Sequence, residues 1–338
     1  MPAYIVRRLV SGLIMVIVMS LVTFLLFFAS PIDPARVSCG KNCSPALQKQ
    51  VSKSLGFDKP VIEQWGDFLK GVVAGREFPA DPAMRAADPK GVVHCSAPCL
   101  GYSKLQNATV GSLISNSFPI SLSLAIVAFI FWIVGGVVLG VTAALTKGSL
   151  LDRGIVGTAL VFFAFPTFWI GLFFYTFIAI KWQIVPIPVY TSIADGGVFT
   201  WLNGLLLPSL TLALFYMAGY VRMTRAFVLE SMGEDYLRTA KSKGLAPRKV
   251  LIKHSMRAAL TPLVTMAGLD LAGLMGGAII TESVFNYNGL GKLAVNATQQ
   301  LDLPLTVGIV LVLATFVILA NIIVDVLYAF IDPRVRVG

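Results

Sequence analysis

The chain has 338 residues, of which 56% are hydrophobic and only 13% charged, with a formal net charge of +10. An ordinary soluble domain carries roughly 25% charged residues, so this composition excludes a soluble globular enzyme, and its surplus of apolar side chains excludes disorder. The positive charge alone would suit nucleic acid, but its placement along the chain points to membrane lipid and to no nucleic acid.

A bilayer core of ~30 Å is crossed by about 20 apolar residues in helical form. Six stretches qualify, at about 9–30, 118–146, 155–180, 204–226, 262–284 and 306–330. The first follows Arg7 and Arg8 as a signal peptide's apolar region would. Its apolar run exceeds the ~7–15 residues of such a region, and Ser30-Pro31-Ile32-Asp33 is a poor cleavage site, so it reads as an uncleaved anchor. With the N-terminus cytoplasmic, the inner segments hold fifteen basic residues: Arg7, Arg8, Lys147, Arg153, nine from Arg222 to Arg257, Arg334 and Arg336. The two short outer loops hold only Lys181 and Lys292. This asymmetry predicts cytoplasmic termini at both ends; the other ten basic residues lie in a segment long enough to cross irrespective of charge.

That segment, residues 31–108, follows a first unit of residues 1–30 and is predicted to be an extracytoplasmic domain. Leu55 to Val73 reads as short helical pieces around a proline, and FPADPAMRAADPKG reads as irregular. All four cysteines lie here, as Cys39-x3-Cys43 and Cys95-x3-Cys99. Disulfides persist on the outer side of a membrane. Stapling two antiparallel segments would give Cys39–Cys99 with Cys43–Cys95, which we expect ahead of the other two connectivities, with a zinc site as a further alternative.

Nothing in the chain supplies a catalytic centre. Gly135 and Gly140, inside 118–146, have the spacing of a phosphate-binding loop, but Val141-Thr142 follows where lysine is required, so the pair reads as helix packing. The two histidines, His94 and His254, fall on opposite sides of the membrane and can form neither a metal pair nor a serine–histidine relay. No cofactor and no metal site are expected, and the chain is not read as an enzyme.

Residues 231–261 form the most informative loop. Ser231-Met232-Gly233-Glu234 ends the fourth span with stop-and-restart chemistry, and Asp235 is expected to cap a short helix, YLRTAKSK. Gly244 is placed to end that helix in a left-handed conformation, and Ala246-Pro247 restarts a helix with proline at its first position. A helix–glycine–helix of mostly basic residues held between two spans suits docking of another protein better than a plain connector.

In the fifth span, Gly273 and Gly277 form a small-xxx-small pair, and Gly268 and Gly276 thin the helix further. Asp270, Gly273 and Gly277 share one face. An ionisable group that deep faces protein or water rather than lipid, so Asp270 either lines a pathway or makes a structural hydrogen bond. Asp325, four residues after Asn321 in the last span, is expected to pair with the basic loop.

The stretch DYLRTAKSKGLAPRKVLIKHSMRAALTPLV closely resembles the signature loop of bacterial ABC-importer permeases in the dipeptide/oligopeptide (and nickel) branch. The family's Glu-Ala-Ala, three residues, Gly pattern reads here as Arg238-Thr239-Ala240 and Gly244; its later Leu-Pro falls at Met256-Arg257, with Pro262 downstream. The blocks YIVRRLVSGLIMVIVMSLVTFLL, GFDKPVIEQWGDFLKG, KGSLLDR, FPTFWIGL, GGAIITESVFNYNGLGKL, LDLPLTVG and DVLYAFIDPRVR are similar to the same family. The cysteine-bearing stretches and residues 79–100 depart from it.

The resemblance implies an all-α integral membrane protein of six transmembrane helices, with the transmembrane domain of a type I ABC importer over residues 109–338. It further implies one half of a peptide pathway, completed by a second homologous permease, two cytoplasmic ATPases that bind ATP and magnesium, and an extracytoplasmic substrate-binding protein. Asp235, Tyr236, Leu237, Arg238, Thr239, Ala240, Lys241, Gly244 and Leu245 would contact an ATPase. Asp270, Gly273 and Gly277 are candidates for the pathway. Nickel or another small solute is the alternative cargo. An ion-coupled secondary transporter would need coupled carboxylates near the midplane, where only Asp270 qualifies.

Overall fold

The computed structural model describes residues 2–29, 33–40 and 43–331. In chain order, α1 (Pro2–Ala29) is followed by α2 (Pro34–Cys39), α3 (Pro45–Leu55), α4 (Val61–Ala74), strand β1 (Arg76–Phe78), α5 (Pro82–Ala87), and strands β2 (Val93–Cys95), β3 (Tyr102–Ser103) and β4 (Ala108–Thr109). Then come α6 (Val110–Leu145), α7 (Leu150–Ala164), α8 (Thr167–Phe173), α9 (Ile193–Gly233), α10 (Asp235–Ser242), α11 (Pro247–Lys249), α12 (Met256–Val284), α13 (Leu290–Gln299) and α14 (Leu303–Ile331). Widened helical turns prolong α8 over Phe174–Lys181 and join α11 to α12 over Val250–Ser255. The framework is helical; the strands pair only as two short antiparallel ladders, β1 with β2 and β3 with β4.

Among the described residues, four helices are long and apolar enough to cross a membrane: Val6–Leu26 of α1, all of α6, all of α9, and Leu303–Ile323 of α14. A fifth is reached if α7 and Thr167–Lys181 count as one broken span. The expected single helix over 155–180 is therefore corrected: the pair bends by 103° at Phe165-Pro166. Pro166 has no N–H to continue the ladder and forces Phe165 into extended backbone (φ −87°, ψ 137°). The expected span 262–284 falls on α12. Asp325 lies outside the described side chains, and Arg334 and Arg336 lie outside the described residues.

The chain divides into two compact units, Met1–Pro119 with Asn288–Leu319, and Ile120–Tyr287 with Ala320–Gly338. In the first unit, three helices start on the same local device. Asp33-Pro34, Ser44-Pro45 and Asp81-Pro82 each place a side-chain acceptor before a proline at the first helical position. The third of these corrects the irregular reading of FPADPAMRAADPKG, which contains α5. The α4 helix packs Phe68 against Phe24 of α1 and Leu303, Val307 and Leu311 of α14, and the Trp65 indole donates to Ser20 Oγ at 2.9 Å. Farther along, the Ser103 hydroxyl donates to Asp302, which is only 2% exposed. Burial pushes the Asp302 carboxyl above the usual carboxylate range despite donors from Ser103 and the Leu305 N–H.

The cysteine pairing is a second correction. The bridges are Cys39–Cys43 and Cys95–Cys99, each with Cα atoms 5.4 Å apart, rather than Cys39–Cys99 and Cys43–Cys95. Gly40, with φ +83°, lets the chain turn back at the end of α2, so the nearest thiol to Cys39 is four residues on. Loops this short restrict the unfolded chain little: about 2 kcal/mol per bridge in the chain-entropy model, against ~4 for a bridge spanning some sixty residues. Non-reducing digestion with mass mapping should return the two local pairs, and reduction should loosen the two turns without unfolding the helices. A peptide joining the 39–43 stretch to the 95–99 stretch would refute this.

In the second unit, the core runs along α6, α9 and α12 through Leu124, Trp132, Leu205, Leu212, Tyr220, Leu263, Leu274 and Ala278. The approach of α6 to α9 depends on glycine. A Cβ on Gly136 would lie 2.6 Å from Tyr220 Cβ; one on Gly140 would lie 2.6 Å from Thr224 Cβ and 2.8 Å from the Val221 carbonyl. Gly140 is thus a packing glycine, as its position inside an apolar helix suggested.

Candidate functional site

The 231–261 loop forms a tied structure at one end of the second unit. Glu234, with extended backbone (φ −68°, ψ 146°), occupies the capping position, and its carbonyl accepts from the Leu237 and Arg238 N–H groups. Asp235, expected as the cap, is instead the first helical residue of α10, where its carboxylate faces the positive end of the helix dipole. Gly244 adopts φ +73°, and the Leu245 N–H closes back onto the Ala240 carbonyl at 3.4 Å. Ala246 and Pro247 then start α11 as expected.

The two faces of α10 are distinct. Leu237 (1% exposed) and Ala240 pack against Val250, with Leu245 alongside. Leu237 and Ala240 are therefore corrected from a partner-facing to an inward role. The reason is energetic: burying a leucine contributes about 1.5–3 kcal/mol, and α10 has no other leucine to seat it. Tyr236, 46% exposed, and Arg238, Thr239, Ser242 and Lys243 face outward. Arg238 reaches Asp235 at 3.4 Å, and Thr239 Oγ1 donates to the Asp235 carbonyl. The Lys241 side chain lies outside the described ones. Beneath the loop, the buried Ser231 and Ser255 hydroxyls meet at 3.0 Å, and Ala144, Val228 and Ala259 pack together. The end of α9 and the approach to α12 are thereby pinned to each other.

An ion pair braces the same end. Arg225 of α9 donates through Nε and Nη2 to Asp152 of α7 at 2.7 and 2.8 Å. The Gly148 N–H donates to the same carboxylate at 2.9 Å, and Ser149 Oγ caps α7 at the Asp152 N–H. A fork-to-fork pair of this kind fixes direction as well as distance. Asp152→Ala or Arg225→Ala should lower the melting temperature of the purified protein, and the exchange Asp152→Arg with Arg225→Asp should recover part of the loss. Equal melting temperatures for wild type and both single variants would show that the pair holds nothing.

On α12, Leu263, Ala267, Leu274 and Ala278 face the core. Met266, Gly273 and Ile280 are exposed, whereas Asp270, three residues after Ala267 and four before Leu274, is half-buried at the edge of the core-facing stripe, about sixty degrees around the helix from Gly273. The surroundings of Gly277 lie outside the described side chains. Asp270 Oδ2 accepts from the Tyr220 hydroxyl at 2.7 Å. Tyr220 is held by Trp132, at 5.5 Å between ring centroids, and Trp132 stacks on Tyr216 at 4.7 Å. Sequence reasoning missed Tyr220, whose partner lies fifty residues on. It also missed Glu282, fully buried and accepting from Ser121; a carboxylate near the end of a mostly apolar helix was the available signal. Among the described residues, no group of His, Cys, Asp and Glu is arranged to hold a metal ion.

Residues 136–337 match the family "Binding-protein-dependent transport system inner membrane component", and residues 1–125 match its N-terminal counterpart. The chain is 33% identical over 359 aligned residues to the dipeptide transport system permease protein DppB of Escherichia coli (strain K12), covering 99% of each chain. It is 32% identical over 336 residues to a protein of Sinorhizobium fredii named "Probable peptide ABC transporter permease protein y4tP", covering 99% of this chain and 100% of that one. Among solved structures, an inward-facing form of the MetNI methionine ABC transporter is similar in fold, with a TM-score of 0.51 at 17% identity over 65% of this chain and 96% of that one.

Proposed function

We propose that this chain, which belongs to the family of inner membrane components of binding-protein-dependent transport systems, is the translocation subunit of an ATP-driven importer of short peptides. The observation that carries the reading is 33% identity to a dipeptide permease in an alignment that covers 99% of both chains. The chain is a multi-pass membrane protein and a transport subunit. Six spans are proposed, formed by α1, α6, the bent α7–α8 pair, α9, α12 and α14, with both termini cytoplasmic and residues 31–108 outside. The positive-inside asymmetry supports that orientation.

In this reading, a second homologous permease completes the pathway, two cytoplasmic ATPases hold ATP and magnesium, and an external binding protein delivers the peptide. The outward face of α10, with Tyr236, Arg238 and Lys243, docks on an ATPase whose rim is acidic. ATP binding draws the ATPases together. Because Leu237 and Ala240 seat α10 on Val250, and Ser231 is joined to Ser255, the displacement passes to α9 and α12 as one body. Through Arg225 and Asp152 it passes on to α7. These helices then switch from inward-open to outward-open, and hydrolysis resets them. Asp270 and Gly273 face the route.

Affinity isolation from native membranes in mild detergent, followed by mass spectrometry of the intact assembly, tests this. The expected assembly holds this chain, one second permease and two ATPase copies. Recovery of the chain alone, or with another copy of itself and no ATPase, would count against it.

A further inference from the structure

At the edge of its core-facing stripe, α12 carries a half-buried carboxylate. A charged side chain at membrane depth is costly unless it is paired or faces a polar route. Asp270 is partly exposed, and among the described residues it forms no ion pair; its one hydrogen bond is from Tyr220 to Oδ2. The other oxygen, Oδ1, accepts nothing among the described residues.

The groups around it are fixed in place. Tyr220 is 2% exposed and Trp132 fully buried, and the indole lies against Tyr220 and stacks on Tyr216. Gly136 admits Tyr220 so closely that any Cβ there would collide with it. The donor that orients the carboxylate is therefore rigid. Beside it, among the described residues, a Cβ on Gly273 would meet only the Tyr216 hydroxyl, at 4.0 Å. Among the described residues, the Asp270 carboxylate, the Tyr216 hydroxyl and Gly273 lie together beside buried aromatic rings.

We propose that this group of residues binds the protonated N-terminal amine of a peptide in transit, with Asp270 as its counter-ion and Tyr216 as a second acceptor; the proposal rests on the peptide-importer reading above. An ammonium group carries three donors and no acceptor, which matches the Asp270 Oδ1 oxygen and the lone pairs of the Tyr216 hydroxyl. The N-terminal amine is the one cation that every unmodified short peptide carries near neutral pH. A site built for it admits peptides of any side-chain sequence, whereas a site for a side chain would not. Tyr220 is a positioning residue: it spends one carboxylate oxygen and leaves the other directed to the ligand.

The test uses the complete permease–ATPase complex in lipid nanodiscs without its binding protein. Equilibrium binding of radiolabelled trialanine and of N-acetyl-trialanine is measured for wild type, Asp270→Asn, Asp270→Glu and Tyr220→Phe. Wild type should bind trialanine at least tenfold tighter than the acetylated form. Asp270→Asn should lose that preference, Asp270→Glu should keep it, and Tyr220→Phe should weaken trialanine binding while keeping the preference. Equal binding of the two peptides by wild type, no binding of either, or a preference that survives in Asp270→Asn would overturn the proposal. So would loss of the second permease from Asp270→Asn with no preference in Asp270→Glu, since the counter-ion would then belong to that subunit. Failure of the importer reading is separable: it would appear as absent ATP-driven trialanine uptake by the wild-type complex supplied with its binding protein.

Discussion

Gly140→Leu should remove folded protein from the membrane. A Cβ at this position would stand 2.8 Å from the Val221 carbonyl and 2.6 Å from Thr224 Cβ. Backbone and a β-branched stem cannot swing aside, so α6 and α9 must separate along the seam that also seats Tyr220 beneath Gly136. Overpacking of a well-packed contact typically costs 1–3 kcal/mol, and more where backbone must move. Here the displaced helices carry half of the buried residues of the second unit's main core. Gly135→Ala is the matched control, because its Cβ would meet the flexible end of Met217. Fluorescence-detected size-exclusion chromatography of membrane extracts should show a monodisperse peak for Gly135→Ala and none for Gly140→Leu. A normal peak and melting temperature for Gly140→Leu would mean that α6 and α9 are not in backbone contact.

Gly244→Val should leave the protein inserted and assembled yet reduce transport at least tenfold. Among the described residues, no atom lies within 4 Å of a Cβ built on Gly244, so the substitution meets none of them. The whole effect is conformational: φ is +73°, which costs an L-residue about 1–2 kcal/mol and a β-branched residue more. The strain is relieved by unwinding the closure of Leu245 onto Ala240, which frees α10 from its seat on Val250. Substrate-stimulated ATP hydrolysis and uptake should therefore fall together, while docking of the binding protein persists. Gly244→Asn, which tolerates the left-handed region, should retain most of both. Full coupled transport in Gly244→Val would show that α10 transmits nothing.

What the sequence made legible was whatever depends on neighbouring residues. Apolar runs located α1, α6, α9, α12 and α14; Gly244 and Ala246-Pro247 marked the end of one helix and the start of the next. The break at Phe165-Pro166 was equally local, yet the apolar run continues through it and hides it. The Asp81-Pro82 start of α5 was hidden in the same way by its proline- and alanine-rich surroundings. Long-range pairings were out of reach. Arg225 and Asp152 lie 73 residues apart, and Tyr220 and Asp270 lie 50 apart; the sequence placed Asp270 against protein or water but could not name its partner. Leu237 shows a third limit. Its apolarity was visible, but only Val250 and Leu245 decide whether such a residue seats its own helix or meets a partner. The cysteines show a fourth, since equal spacing within each pair is compatible with all three connectivities until the turn at Gly40 is seen.

The most direct measurement is uptake of a radiolabelled dipeptide into proteoliposomes containing this chain, the second permease, both ATPases and lumen-facing ATP, with the binding protein added outside. The account predicts accumulation against a gradient that stops when the ATPases are omitted or ATP is replaced by a non-hydrolysable analogue. Accumulation driven by an imposed proton or sodium gradient, with no dependence on ATP, would contradict it.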